Sequence, residues 1–116
     1  MAKILVTDDS TFMRQLLISI LKRAGHNDII EAKNGVEALD ICKKEKPDLL
    51  LLDIIMPEMD GIEVLKNLSP SQKVVMVTAI GQDAVLKEAT ALGAKGYIIK
   101  PFDSKQIIAE VEKNLK

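Results

Sequence analysis

Four consecutive leucines followed by an aspartate, Leu49-Leu50-Leu51-Leu52-Asp53, constrain the fold more than any other stretch. The run has no apolar–polar alternation, so a strand formed here is buried on both faces. That is the pattern of an interior strand in a parallel sheet covered by helices. A buried carboxylate is costly without a partner, so Asp53 is expected at the carboxyl mouth of the strand. Ile54 to Gly61, punctuated by Pro57 and Gly61, reads as the loop that follows. Open α/β sheets carry their sites at this edge.

The rest of the chain alternates short apolar runs with helix-period segments. Lys3 to Thr7 reads as a first strand, and Thr11 to Ala24 as a helix. Phe12, Met13, Leu16, Leu17, Ile20, Leu21 and Ala24 are expected on one broad face of it, with Gly25 as its terminator. Asp28 to Ala32 is a weaker second strand. Asn34, three residues before Glu37, caps a helix that ends near Glu45, before Pro47. After the leucine strand, Asp60 and Glu63 open a short helix to Leu68, and Val74 to Thr78 is another apolar strand with a polar end. Gln82 to Leu92 reads as a helix, Tyr97 to Lys100 as the fifth strand, and Asp103 caps a last helix with Ile107, Ile108, Val111 and Leu115 as its inner stripe. This alternation predicts an α/β, doubly wound five-stranded parallel sheet with five helices. The strand order 2-1-3-4-5 is carried over from flavodoxin-like sheets.

At 116 residues the chain is expected to be one domain, with no room for an effector domain after the fifth helix. A net charge of −1 gives no basic field for nucleic acid or anionic lipid. No run approaches the ~20 apolar residues of a membrane span, and Met1 to Val6 is too short for a signal peptide. One cysteine, Cys42, precludes an internal disulfide framework and fits the inner face of the second helix. A cytoplasmic monomer is the expectation.

The polar residues ending the strands carry the chemistry. Strand one ends in Asp8-Asp9, strand three in Asp53, strand four in Thr78 and strand five in Lys100. Parallel strands bring these ends to one edge, whereas strand two, ending in Ala32-Lys33, offers nothing comparable. Two unit charges ~4 Å apart cost about 4 kcal/mol at an effective dielectric near 20, so three carboxylates require a cation. Oxygen-only ligands favour Mg²⁺. Lys100 supplies a point charge and Thr78 a hydroxyl for a phosphoryl oxygen, leaving a carboxylate as nucleophile.

Asp8-Asp9, Asp53-Ile54-Ile55-Met56-Pro57, Asp60-Gly61, Thr78-Ala79 and Lys100-Pro101-Phe102 resemble the motif set of two-component response-regulator receiver domains, across the whole chain. Within that family, Phe12-Met13-Arg14 makes it most similar to the stand-alone chemotaxis regulators. The resemblance implies that Asp53 accepts a phosphoryl group from a histidine kinase, without the chain being a turnover enzyme. It implies Mg²⁺ bound by Asp9, Asp53 and the backbone carbonyl of Ile55, with Asp8 acting through water. Thr78 and Lys100 would hold the phosphoryl group, and Tyr97 would switch with Thr78. A downstream protein such as a motility component, and a separate phosphatase, are the implied partners. The resemblance also implies a cis Lys100-Pro101 peptide.

The competing readings are weaker. A haloacid-dehalogenase-like phosphatase places its nucleophile in an Asp-x-Asp pair on strand one, a spacing that Asp8-Asp9-Ser10-Thr11 lacks. A flavodoxin-like electron carrier needs a phosphate loop there and aromatics around the flavin, and the chain has two Phe and one Tyr. A receiver in a phosphorelay other than chemotaxis stays open. His26 is expected to be merely solvated.

Overall fold

The computed structural model describes residues 1–116. Five strands alternate with five helices: β1 (Lys3–Thr7), α1 (Thr11–Arg23), β2 (Asp28–Ala32), α2 (Gly35–Glu45), β3 (Leu49–Leu52), α3 (Gly61–Asn67), β4 (Val74–Thr78), α4 (Asp83–Ala91), β5 (Gly96–Ile99) and α5 (Ser104–Leu115). All strand pairs are parallel, in the order β2-β1-β3-β4-β5. The central β3 follows from its composition. Leu50 and Leu52 enter one core, shared with Ala38 and Cys42 of α2 and Val64 and Leu65 of α3. Leu49 and Leu51 enter the other, with Leu17 and Leu21 of α1 and Ile107 and Val111 of α5. All four leucines are at most 1% exposed. Each stabilises the fold by roughly 1.5–3 kcal/mol through transfer alone, so the sheet order is anchored at its middle.

Side-chain caps fix the starts of α1, α2, α3 and α5, and those starts lie at the carboxyl edge of the sheet. Ser10 Oγ accepts from Met13 N at 3.2 Å, Asn34 Oδ1 from Glu37 N at 2.8 Å and Asp60 Oδ1 from Glu63 N at 2.9 Å. Such caps are each worth about 1 kcal/mol. Only Asp103 and Gln106 complete a reciprocal capping box, at 3.0 Å in both directions. Glu37 departs from the expected reciprocity, because its carboxylate accepts from Lys33 N at 2.9 Å rather than from the cap residue.

Helix α1 corrects the broad apolar face. Phe12 is 75% exposed and Leu16 also faces solvent, while Ile18 is buried. At 3.6 residues per turn Phe12 lies about 180° around the helix from the fully buried Leu21, and Leu16 about 140°. Seven apolar residues overfill a single core-facing stripe. His26 is also not simply solvated: its ring is 14% exposed and lies 3.0 Å from Glu112 Oε1, tying the end of α1 to α5. No helix is long and apolar enough to cross a membrane.

Candidate functional site

The site is built where β1 and β3 end side by side. Thr7 and Leu52 are register partners, so the next residues, Asp8 and Asp53, emerge together at the sheet edge. Asp53 N donates to Thr7 O at 3.2 Å, and Asp8 N to Ala32 O of β2 at 3.2 Å. Both carboxylates are buried, at 1% and 5% exposure. Asp9 is exposed, yet its carboxylate, with those of Asp8 and Asp53, offers oxygens all within 4.8 Å of one another.

Lys100, one residue beyond β5, offsets the charge. Its Nζ donates to Asp8 Oδ2 at 2.8 Å and to Asp53 Oδ2 at 2.9 Å. The other carboxylate oxygens are held by backbone: Asp8 Oδ1 accepts from Ser10 N at 2.9 Å, and Asp53 Oδ1 from Ile54 N at 2.7 Å and Ile55 N at 3.4 Å. Burial pushes the Asp53 carboxyl above its ordinary pKa; the Lys100 hydrogen bond and charge pull it down, and Asp8 adds to the rise. For Lys100, burial works to lower the pKa, but the bonds and charges of Asp8 and Asp53 outweigh it and the net shift is upward. The ammonium is therefore the form held between the two carboxylates.

The loop after Asp53 is pinned by its apolar members. Ile54 and Met56 are buried, whereas Ile55 is 58% exposed. Gly61 N donates to Ile54 O at 2.8 Å. A Cβ on Gly61 would overlap Asp53 O and come within 2.8 Å of Ile54 Cα, so this position accepts only glycine and brings α3 against the backbone of Asp53.

The other sequence-derived candidates are placed less centrally. Thr78, at the end of β4, is fully buried; its Oγ1 accepts from Ile80 N at 3.2 Å and makes no bond to the Lys100 network. Lys100 N donates to Thr78 O at 2.8 Å, and the Lys100-Pro101 peptide is cis. Tyr97 on β5 is 44% exposed and points away from the core. Strand β2 ends without a side chain in the acidic cluster, as expected, but it supplies a support one residue earlier. Glu31 accepts from Arg14 Nε at 3.0 Å, and Arg14 Nη1 donates to Asp8 O at 2.7 Å. Nothing in the spacing of Arg14 and Glu31 signals this bridge, since the partners lie on different elements; only their opposite charges hint at it.

Chemically, the arrangement offers a hard, oxygen-only donor set, suited to a small divalent cation. It also offers a carboxylate whose second oxygen faces an ammonium. These are the parts for phosphoryl transfer to an acyl oxygen.

The family described as the response regulator receiver domain matches residues 4–112. The chain is 41% identical to the chemotaxis protein CheY of Listeria monocytogenes, covering all of both chains. It is also 41% identical to sporulation initiation phosphotransferase F of Bacillus subtilis, over 97% of this chain and 93% of that protein. Among solved structures, the CheX–CheY–BeF3–Mg²⁺ complex of Borrelia burgdorferi superposes with a TM-score of 0.93 at 34% identity, over 97% of this chain and 87% of that one. Vibrio cholerae CheY4 gives 0.91 at 31% identity, over 99% of both. The family match and the shared fold agree, and the chain belongs to the response regulator receiver domains of two-component systems.

Proposed function

We propose that this receiver domain is switched by phosphorylation of Asp53 by a histidine kinase, and that the phosphorylated state changes its affinity for a downstream protein. The observation that carries the reading is the meeting of Asp8, Asp9 and Asp53 within 4.8 Å, with Lys100 bridging two of them. An Asp53 carboxylate oxygen attacks phosphorus; the P–O bond forms as the bond to the donor's imidazole nitrogen breaks and its electron pair returns to the ring. Lys100 exchanges a carboxylate contact for a phosphoryl oxygen, so its charge is already in place. Thr78 offers its hydroxyl hydrogen to a second oxygen, and the same Oγ1 retains a lone pair for Ile80 N.

Receiver domains generally bind Mg²⁺ at an acidic pocket, and the donor set here fits one. Asp9, Asp53 and the Ile55 carbonyl would hold the ion and Asp8 would act through water; the ion supplies charge neutralisation for carboxylates and phosphoryl oxygens. Domains of this kind are signalling proteins rather than turnover enzymes. Movement of Thr78 toward the phosphoryl group biases the exposed Tyr97 and the surface of α4 and α5, a population shift between two packings.

Chemotaxis is the favoured setting, in the cytoplasm, with a motility component as target and a separate phosphatase to reset it. The likeness to chemotaxis proteins supports this. A phosphorelay is the second reading, favoured by the equal identity to a sporulation phosphotransferase. Rapid passage of the phosphoryl group from Asp53 to a further histidine protein would select it.

The switch itself is tested with beryllofluoride and Mg²⁺ as a phosphoryl surrogate, by backbone amide NMR. The reading expects shifts at Asp53 to extend through Thr78 to Tyr97 and α5. Shifts confined to the loops around Asp8 and Asp53 would contradict it.

A further inference from the structure

We propose that Arg14 is a positioning residue for the acidic pair, using Glu31 of the edge strand to hold Asp8 and Asp9 in register for the cation. This rests on the reading that Asp8, Asp9 and Asp53 form a divalent-cation site.

Arg14 lies in the first turn of α1, and its side chain is 12% exposed. Its guanidinium is used in three directions. Nη1 donates to the backbone carbonyl of Asp8 at 2.7 Å, Nε to Glu31 Oε1 at 3.0 Å and Nη2 to Thr11 Oγ1 at 3.3 Å. Gln15 Nε2 donates to the same Glu31 oxygen at 3.2 Å, so that carboxylate is fixed by two donors.

The carbonyl of Asp8 belongs to the peptide joining Asp8 to Asp9. Holding that oxygen restrains the plane of the peptide, and with it the position of the Asp9 Cα from which the carboxylate reaches the cation. Asp8 is otherwise secured at its amide by Ala32 O, and at its carboxylate oxygens by Ser10 N and Lys100 Nζ. Asp9 is exposed and has no hydrogen bond of its own. Its placement therefore depends on the peptide behind it, and Arg14 is the side chain that grips that peptide. A planar, always-charged fork is needed to reach carbonyl, carboxylate and hydroxyl at once from three separate nitrogens; lysine's donors all leave one atom.

Two effects of Arg14 on a cation oppose each other. As a positive charge beside an acidic site it repels the ion, and as a clamp it orders a ligand. The short bond to Glu31 cancels much of the charge, which leaves the clamp dominant. Partners behind metal ligands typically change affinity about 10–100-fold when removed.

The test is Mg²⁺ titration of the full chain by isothermal calorimetry, together with urea unfolding without metal. Arg14→Lys, which keeps the charge and loses the fork, is expected to weaken Mg²⁺ binding about 10-fold. Arg14→Gln should weaken it in the same direction, and Glu31→Gln to a lesser extent. Arg23→Gln, which removes a cation from the other end of α1, should leave affinity unchanged. Tighter binding in Arg14→Gln means that charge dominates, and overturns the proposal. So does wild-type affinity in Arg14→Lys, or a loss of metal-free stability without a loss of affinity. If Arg14→Gln does not fold, Arg14→Lys and Glu31→Gln decide the question. Absence of Mg²⁺ binding by the wild type would instead remove the metal reading beneath it.

Discussion

Replacing Lys100 with methionine exposes how the acidic edge is balanced. The side chain keeps its apolar stem and loses the ammonium that lies 2.8 Å from Asp8 and 2.9 Å from Asp53. At an effective dielectric near 20, each contact is worth about 6 kcal/mol of gross attraction, against at least roughly 3.5 kcal/mol of repulsion for two carboxylates within 4.8 Å of each other. Desolvation of the two buried carboxylates and the half-buried Lys100 consumes much of that surplus. Measured losses on breaking such buried pairs run at about 3–5 kcal/mol, and that is the expected cost near pH 7 without metal.

The cost should depend on pH in a fixed sense. The folded pKa of Asp53 is already raised by burial, against the pull of Lys100. Removing Lys100 removes that pull, so the folded pKa rises further above its unfolded value. A raised carboxyl favours the fold below the unfolded pKa, and that contribution is lost as pH rises through the folded pKa. Lys100→Met should therefore approach wild-type stability near pH 4 and fall behind as pH rises toward 7. Mg²⁺ should recover part of the loss, because a cation then stands in for the ammonium. Urea unfolding at several pH values, with and without Mg²⁺, measures all three. A loss equal at pH 4 and pH 7 would refute the reasoning, as would no loss at pH 7.

Other outcomes follow from the same charges and packing. Asp9→Asn relieves repulsion in the metal-free protein, so urea unfolding should show it to be more stable than wild type. It should also respond less to Mg²⁺, which in the wild type adds about 2.7 kcal/mol at 100 times its dissociation constant. Thr7 Oγ1 is buried without a hydrogen-bond partner, so Thr7→Val should stabilise by about 1 kcal/mol in the same assay. Ile55 and Ile80, two residues after Asp53 and Thr78, carry no group to orient an attacking water. Slow loss of phosphate is expected, and Ile55→Asn with Ile80→Glu should shorten the lifetime of purified phosphoprotein.

The legible features were those that repeat locally. The leucine run announced a strand buried on both faces, and β3 is that strand, with its side chains divided between the two cores. Asn34, Asp60 and Asp103 announced helix starts, and each side chain caps one. Asp8, Asp53 and Lys100 were found because parallel strands end on one edge, which turns sequence position into spatial position. What escaped depends on pairing between distant elements. Arg14 with Glu31 and His26 with Glu112 lie 17 and 86 residues apart and share no period. Phe12 escaped for the opposite reason: it satisfied an apolar count, but stands on the side of α1 away from Leu21.

The most direct test of the central claim is to treat the protein with a small-molecule phosphodonor and Mg²⁺, and to locate the adduct by mass spectrometry. Wild type should gain a single alkali-labile phosphoryl group on the peptide containing Asp53, and Asp53→Asn, whose amide cannot form an acyl phosphate, should gain none. Undiminished labelling of Asp53→Asn, or an adduct that survives alkali, would contradict it.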